Sequence, residues 1–170
     1  MFAEISIRLR MQKTSRGCWA AFALGCALLA ACSSGSGGAV QAKTPEDVVR
    51  TYLTALQKGD YGTAYDLLMP FMVRDLGKAA WVTEQTAVMK LADVQISSFQ
   101  VFSAKLEGDK AIVPNLLKSK DKYINQTGAN EYELYTLVHG PEGGWKIQQQ
   151  QLVESDAVAN WFPPSVRETR

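Results

Sequence analysis

The sequence predicts an α+β fold in which N-terminal helices pack on a curved antiparallel sheet of about four strands. Three observations predict it. From Val48 to Met89 the apolar residues recur at helical spacing. From Val94 onward the pattern changes to runs rich in β-branched and aromatic residues. Turn-forming stretches separate those runs, so successive strands are expected to pair antiparallel.

Thr44-Pro45-Glu46-Asp47 opens the first helix. Threonine caps, proline suits the first helical position, and two acids favour the positive end of the dipole. Val48, Tyr52 and Leu56 form its apolar stripe with Val49 and Leu53 beside them, and Lys58-Gly59 closes it. Asp60 caps a shorter helix carrying Tyr61, Ala64, Tyr65, Leu67 and Leu68, which Pro70 ends. Residues 71–91 read as helical with an interruption at Gly77, and Trp81, Val82, Val88 and Met89 supply their apolar positions. Four strands follow: 94–102, 111–117, 131–138 and 145–153. Glu107-Gly108-Asp109 is the first turn, and 118–130 is a long polar hairpin loop. Gly140-Pro141-Glu142-Gly143-Gly144 is the last turn. Pro114 lies inside the second strand and suggests an edge or a bulge, because proline gives no ladder donor.

Residues before this domain read as an address. The run 17–31 is uncharged and mostly small or apolar, and it follows Lys13 and Arg16. It is short for a membrane span, which takes about 20 apolar residues, and fits a secretory signal peptide. Met11 is an alternative start. Leu29-Ala30-Ala31-Cys32 resembles the lipobox of bacterial lipoproteins. That resemblance implies lipidation of Cys32, cleavage before it, and a membrane partner held through the lipid. Residues 32–43 are then the lipidated cysteine and a Ser/Gly-rich tether. Ser33 resembles an outer-membrane sorting signal of the enterobacterial kind, so the expected place is the cell envelope, with the outer membrane favoured.

Composition limits the function. The three cysteines are Cys18, Cys26 and Cys32, so nothing after residue 32 can form a disulfide framework or a thiolate zinc site. The chain has one histidine, His139, which excludes multi-histidine metal sites. Net charge is +1 for the whole chain, and residues 1–31 carry four basic residues against one acidic one. A near-neutral remainder with no long charge run does not suit a nucleic-acid partner or electrostatic steering toward DNA, RNA or anionic lipid.

Thr44-Pro45, Val48, Tyr52-Leu53, Leu56, Gly59-Asp60-Tyr61, Ala64-Tyr65 and Leu68 resemble the opening of the nuclear-transport-factor-2-like (NTF2-like) superfamily, and Gly144-Trp145-Lys146-Ile147 resembles the final strand of its bacterial members. The resemblance covers 44–153, with 154–170 as a C-terminal tail. It implies helices closing over a bent sheet as a cone, sometimes around a pocket. It also implies that dimers through the outer sheet face are common. Enzymes of the superfamily, such as isomerases, cyclases and dehydratases, use a pocket carboxylate or histidine with a nearby tyrosine.

Candidates for such chemistry are sparse. His139 falls beside a turn. Asp66, Glu84 and Glu133 are the acids near aromatic positions, and surface placement is the default for each. No P-loop, dinucleotide-binding glycine pattern or nucleophile elbow occurs, and no cofactor or metal is implied. Tyr52, Tyr65, Trp81, Phe102, Tyr135 and Gln149 are the candidates to line a ligand pocket; the alternative is that the aromatics fill the core. Strict alternation from Trp145 puts Gln149 and Gln151 on the face of Trp145 and Ile147, where they would line a polar mouth; the alternative, slightly favoured, is that the strand leaves the core after Ile147. Trp161-Phe162 either folds back over the domain or meets a partner, since an exposed pair of this kind is costly. The reading is a lipid-anchored envelope protein that binds a partner protein, an envelope component or a small apolar ligand without catalysis. A small enzyme of the isomerase, cyclase or dehydratase kind is the alternative.

Overall fold

Helix α1 (Pro45–Lys58) starts where the Thr44 hydroxyl accepts the Asp47 backbone N–H at 3.2 Å. It ends at Gly59, whose left-handed backbone lets its N–H turn back to the last carbonyls. Asp60 caps α2 (Tyr61–Asp66) by accepting from the Thr63 N–H. A 3-10 turn (Pro70–Val73) and Gly77 then lead into α3 (Lys78–Ala92). The computed structural model describes residues 44–167. The expected signal peptide, Cys32 and the tether lie outside the described residues.

Five strands follow: β1 (Gln95–Val101), β2 (Lys105–Glu107), β3 (Lys110–Lys120), β4 (Asn130–His139) and β5 (Trp145–Leu152). They form one antiparallel sheet in the order β1-β3-β4-β5, with β2 pairing the start of β3 beyond the end of β1. The α+β architecture expected from the sequence is therefore observed, with one strand more. Strand β2 was hidden because Lys105-Leu106-Glu107 is exposed along its whole length and shows no alternation. The expected loop 118–130 is shorter, since β3 runs to Lys120.

Pro114 sits in central strand β3, between β1 and β4, so of its two expected settings the edge is not adopted; the bulge is, since residues 102–104 face only 113–114 between the pairs Val101–Asn115 and Lys105–Ile112. The Phe102 N–H donates to the Pro114 carbonyl at 2.9 Å, so the missing N–H of Pro114 faces the same side. There the neighbouring chain leaves the ladder between β1 and β2. The Ala104 N–H at that break is taken by the Glu46 carboxylate of α1 at 2.7 Å.

Helix α1 lies against β1, β3 and β5. Val48, Val49, Tyr52, Leu53 and Leu56 meet Ala111, Val113, Leu117, Tyr135, Leu137 and Ile147 in one buried cluster. At the opposite sheet face the tail returns over the strands. Phe162, only 2% exposed, packs edge-on against Phe102 and Tyr132 at ring distances of 5.4 and 5.0 Å. The Tyr132 hydroxyl donates to the Val166 carbonyl at 2.7 Å, and Arg167 holds the Phe162 and Ala159 carbonyls. Of the two fates open to Trp161-Phe162, folding back is the one adopted.

Candidate functional site

The polar centre of the domain is Glu133 on β4. Alternation sends Glu133, Tyr135 and Leu137 toward α1, and Tyr132 and Leu134 toward the tail. Glu133 is 2% exposed, against the surface placement expected of it. The strand is buried on both faces, so the acid had no solvent side to take. Leaving the register at Tyr135 and Leu137 intact places the carboxylate in the interior.

That carboxylate is well supplied with donors. Asn115 Nδ2 donates to Glu133 Oε2 at 2.9 Å, and the Tyr135 hydroxyl donates to the same oxygen at 3.0 Å. Gln150 Nε2 donates to Oε1 at 2.8 Å. Asn115 lies directly across the ladder from Glu133 on β3. Burial pushes the Glu133 carboxyl above its ordinary value near 4.5; the three donors pull against this, and the charge of Glu131 adds to it. Burial, with the Glu133 charge, also raises Tyr52 and Tyr135. Their rings meet edge-to-face at 6.0 Å. Asn115 Oδ1 is buried with no hydrogen-bond partner. A carboxyl in this setting holds a proton at a pH where an exposed one has lost it, beside a tyrosine hydroxyl. Those are the parts of a proton-transfer centre, enclosed by the protein's own side chains.

The six candidate ligand-lining residues do not gather at one place. Tyr52 and Tyr135 meet beside Glu133. Trp81 belongs to the same buried cluster as Tyr52 and Tyr135, with Tyr65 packed against it at 5.8 Å from the Trp81 ring, and the Tyr65 hydroxyl donates to the Leu76 carbonyl. Phe102 is on the opposite face with Phe162. Gln149 is exposed and bonds to Gln151, which corrects its inward placement. The cause is a bulge: Leu137 pairs Ile147, but Thr136 pairs Gln149 and Tyr135 pairs Gln150. One extra residue reverses the faces beyond it, so Gln150 turns inward instead.

The other acids are peripheral. Asp66 is exposed and pairs with Lys78 at 2.6 Å, while Glu84 pairs with Arg74. His139 is exposed at the end of β4, its Nδ1 2.9 Å from the Gly143 carbonyl and its ring over Trp145. Asn115 and Gln150 were missed from sequence. Asn115 had a visible signal, an amide in the inward register between Val113 and Leu117. Gln150 had none, because the bulge that turns it inward leaves no mark among four glutamines. A separate cleft of about 390 Å³ is lined by Asp93, Gln95, Lys120, Asp121, Lys122 and Gln126, all remote from the sequence candidates.

The sequence matches no family profile and no curated protein. Solved structures of similar shape include a ketosteroid isomerase-like protein from Erwinia carotovora atroseptica, 17% identical over 64% of this chain and 93% of that one, at a TM-score of 0.46. An NTF2-like protein from Cytophaga hutchinsonii is 14% identical over 63% and 92%, at 0.43. A domain of unknown function with a cystatin-like fold from Nostoc punctiforme is 10% identical over 64% and 73%, at 0.47. At these values the architecture rests on this chain's own helices and strands.

Proposed function

We propose that this chain is a lipid-anchored bacterial envelope protein whose NTF2-like domain binds rather than catalyses, through its outer surface. The supporting observation is the filled interior. Tyr52, Leu53 and Leu56 from the helix and Val113, Leu117, Tyr135 and Ile147 from the sheet are all buried against one another. Glu133 has both oxygens taken by neighbours. A substrate would have to displace side chains that close the core. The partner is then a protein or another envelope component.

Two measurements test this. Metabolic labelling with a fatty acid is expected for the wild type and lost in Cys32→Ala; continued labelling defeats the anchor. Native mass spectrometry of the isolated protein is expected to show the chain and its lipid alone. A co-purified small molecule, lost on Tyr135→Ala, would place the binding site inside instead.

A second reading, a small proton-transfer enzyme of the isomerase, cyclase or dehydratase kind, is favoured by the Glu133–Tyr135 contact and the orphaned Asn115 Oδ1. Turnover that disappears in Glu133→Gln while the fold persists would establish it.

A further inference from the structure

The loop between β3 and β4 is built with care and spends its tip on exposed apolar side chains. The Asp121 carboxylate accepts the backbone N–H groups of Tyr123, Ile124 and Asn125 at 2.6–3.0 Å. Asn125 is buried, and its amide nitrogen donates to Ser119, Ala129 and Glu131 while its oxygen accepts from the Ala129 N–H. A loop held by this many bonds is pre-formed. Yet Tyr123 is 62% exposed and Ile124 48%. The Lys122 N–H donates to the Ala92 carbonyl at 2.9 Å, which brings Leu91, 69% exposed at the end of α3, to the same end of the domain.

Charge surrounds this apolar tip. Lys90, Lys118, Lys120 and Lys122 are all exposed there. The acids of the region are Asp93, Asp121 and Glu131, the last two half-buried. Asp121 holds backbone donors, and Glu131 accepts from Ser119 and Asn125. Asp93 faces Lys122 at 3.7 Å. Among the described residues Lys90, Lys118 and Lys120 make no ion pair. The four lysines exceed these three acids by one charge, and they stand exposed around tyrosine, isoleucine and leucine. Tyrosine beside lysine is the pairing favoured where a surface meets lipid headgroups.

We propose that this end of the domain is a second membrane contact, with Leu91, Tyr123 and Ile124 entering the headgroup layer of the bilayer that anchors Cys32 and the four lysines meeting lipid phosphates. The proposal rests on the anchored reading above. Three side chains are too few for a stable protein interface, which takes about 800 Å² from each partner. They suffice for a tethered domain, whose weak contact is multiplied by effective concentration.

Chain length permits the arrangement. Thr44 begins α1, whose far end reaches β1 through a Gln57 bond to the Ile96 carbonyl. Gln95 pairs Lys120 at that same far end, so the loop lies about one helix length, roughly 21 Å, from the tether's attachment. The twelve steps from Cys32 to Thr44 span up to about 40 Å.

The test uses the lipidated full chain. Its lipobox cysteine is consumed by the lipid and the other two precede the cleavage site, so one introduced cysteine is the only free thiol. Ile124→Cys and, at the opposite end of β4, Glu142→Cys each carry a fluorophore. The protein is reconstituted in vesicles of phosphatidylethanolamine and phosphatidylglycerol containing nitroxide lipids. We expect quenching at 124 several-fold above that at 142. Joint substitution of Lys118, Lys120 and Lys122 by glutamate should remove most of the difference. Deleting residues 34–40 leaves a tether of about 17 Å, and should remove it too. A chain that floats with the vesicles but is quenched equally at both positions overturns the proposal. So does a label shielded in native envelope membranes and not in pure lipid, which would mean a protein partner. A chain that never floats defeats the anchor reading, and this contact falls with it.

Discussion

The two faces of the sheet solve burial differently. The face under α1 mixes apolar packing with a hydrogen-bonded acid: Val113, Tyr135 and Leu137 beside Glu133, Asn115 and Gln150. The face under the tail is closed by aromatic edges, with Phe162 between Phe102 and Tyr132. One face spends desolvation free energy on a carboxyl; the other gains by covering rings. The contrast separates roles. The tail face is a closure of aromatic rings, whereas the helix face carries a buried carboxyl that responds to pH.

The largest expected effect is on the tail face. Phe162→Ala removes a buried ring from a slot that only the tail fills, and should cost about 3–5 kcal/mol. Denaturant unfolding measures it, and a loss under 1 kcal/mol would mean the tail is an ornament on the sheet. On the helix face, Glu133→Leu keeps the volume but strands the donors of Asn115, Gln150 and Tyr135; relief of the buried acid's desolvation offsets part of that loss, leaving a net cost of about 1–3 kcal/mol. If this variant is as stable as the wild type, the network contributes nothing and the two faces are equivalent.

Glu133→Gln sharpens the comparison through pH. The folded chain holds the Glu133 proton more tightly than the unfolded chain, because its folded value is raised. The contribution is fully present below about pH 4.5, the unfolded value, and is lost as pH rises through the folded one. Wild-type stability should therefore decline more steeply than that of the glutamine variant as pH rises above about 4.5. Parallel melting curves across that range would show that Glu133 does not titrate in the folded state as its burial requires. The smallest effect distinguishes two neighbours: Gln150→Ala should cost about 1 kcal/mol for its lost charge-assisted bond, and Gln149→Ala almost nothing. Reversed values would remove the bulge from β5.

What could be read from the sequence divides along the same line. Helix α1 was legible end to end because its cap, stripe and terminal glycine all agree. The period change at Val94 marked the sheet. Glu133 was not legible as buried, since Tyr132 and Leu134 on either side look like an apolar face pointing the other way. Only the tail, arriving nearly thirty residues later, makes both faces interior. The inward amide was misplaced by one residue because a bulge is a property of pairing, and four glutamines give no local cue to it. Pro114 pointed to an edge or a bulge, and it is the bulge that lets it sit centrally, since the break between β1 and β2 falls opposite its missing donor.

The returning tail also sets a timetable for folding. Phe162 is synthesised after every strand it covers, so a growing chain holds Phe102 and Tyr132 without their cover until the tail emerges. For that interval the sheet has one finished side and one adhesive side. Chains stopped before Phe162 should therefore associate with one another through the uncovered rings, even though all five strands are present.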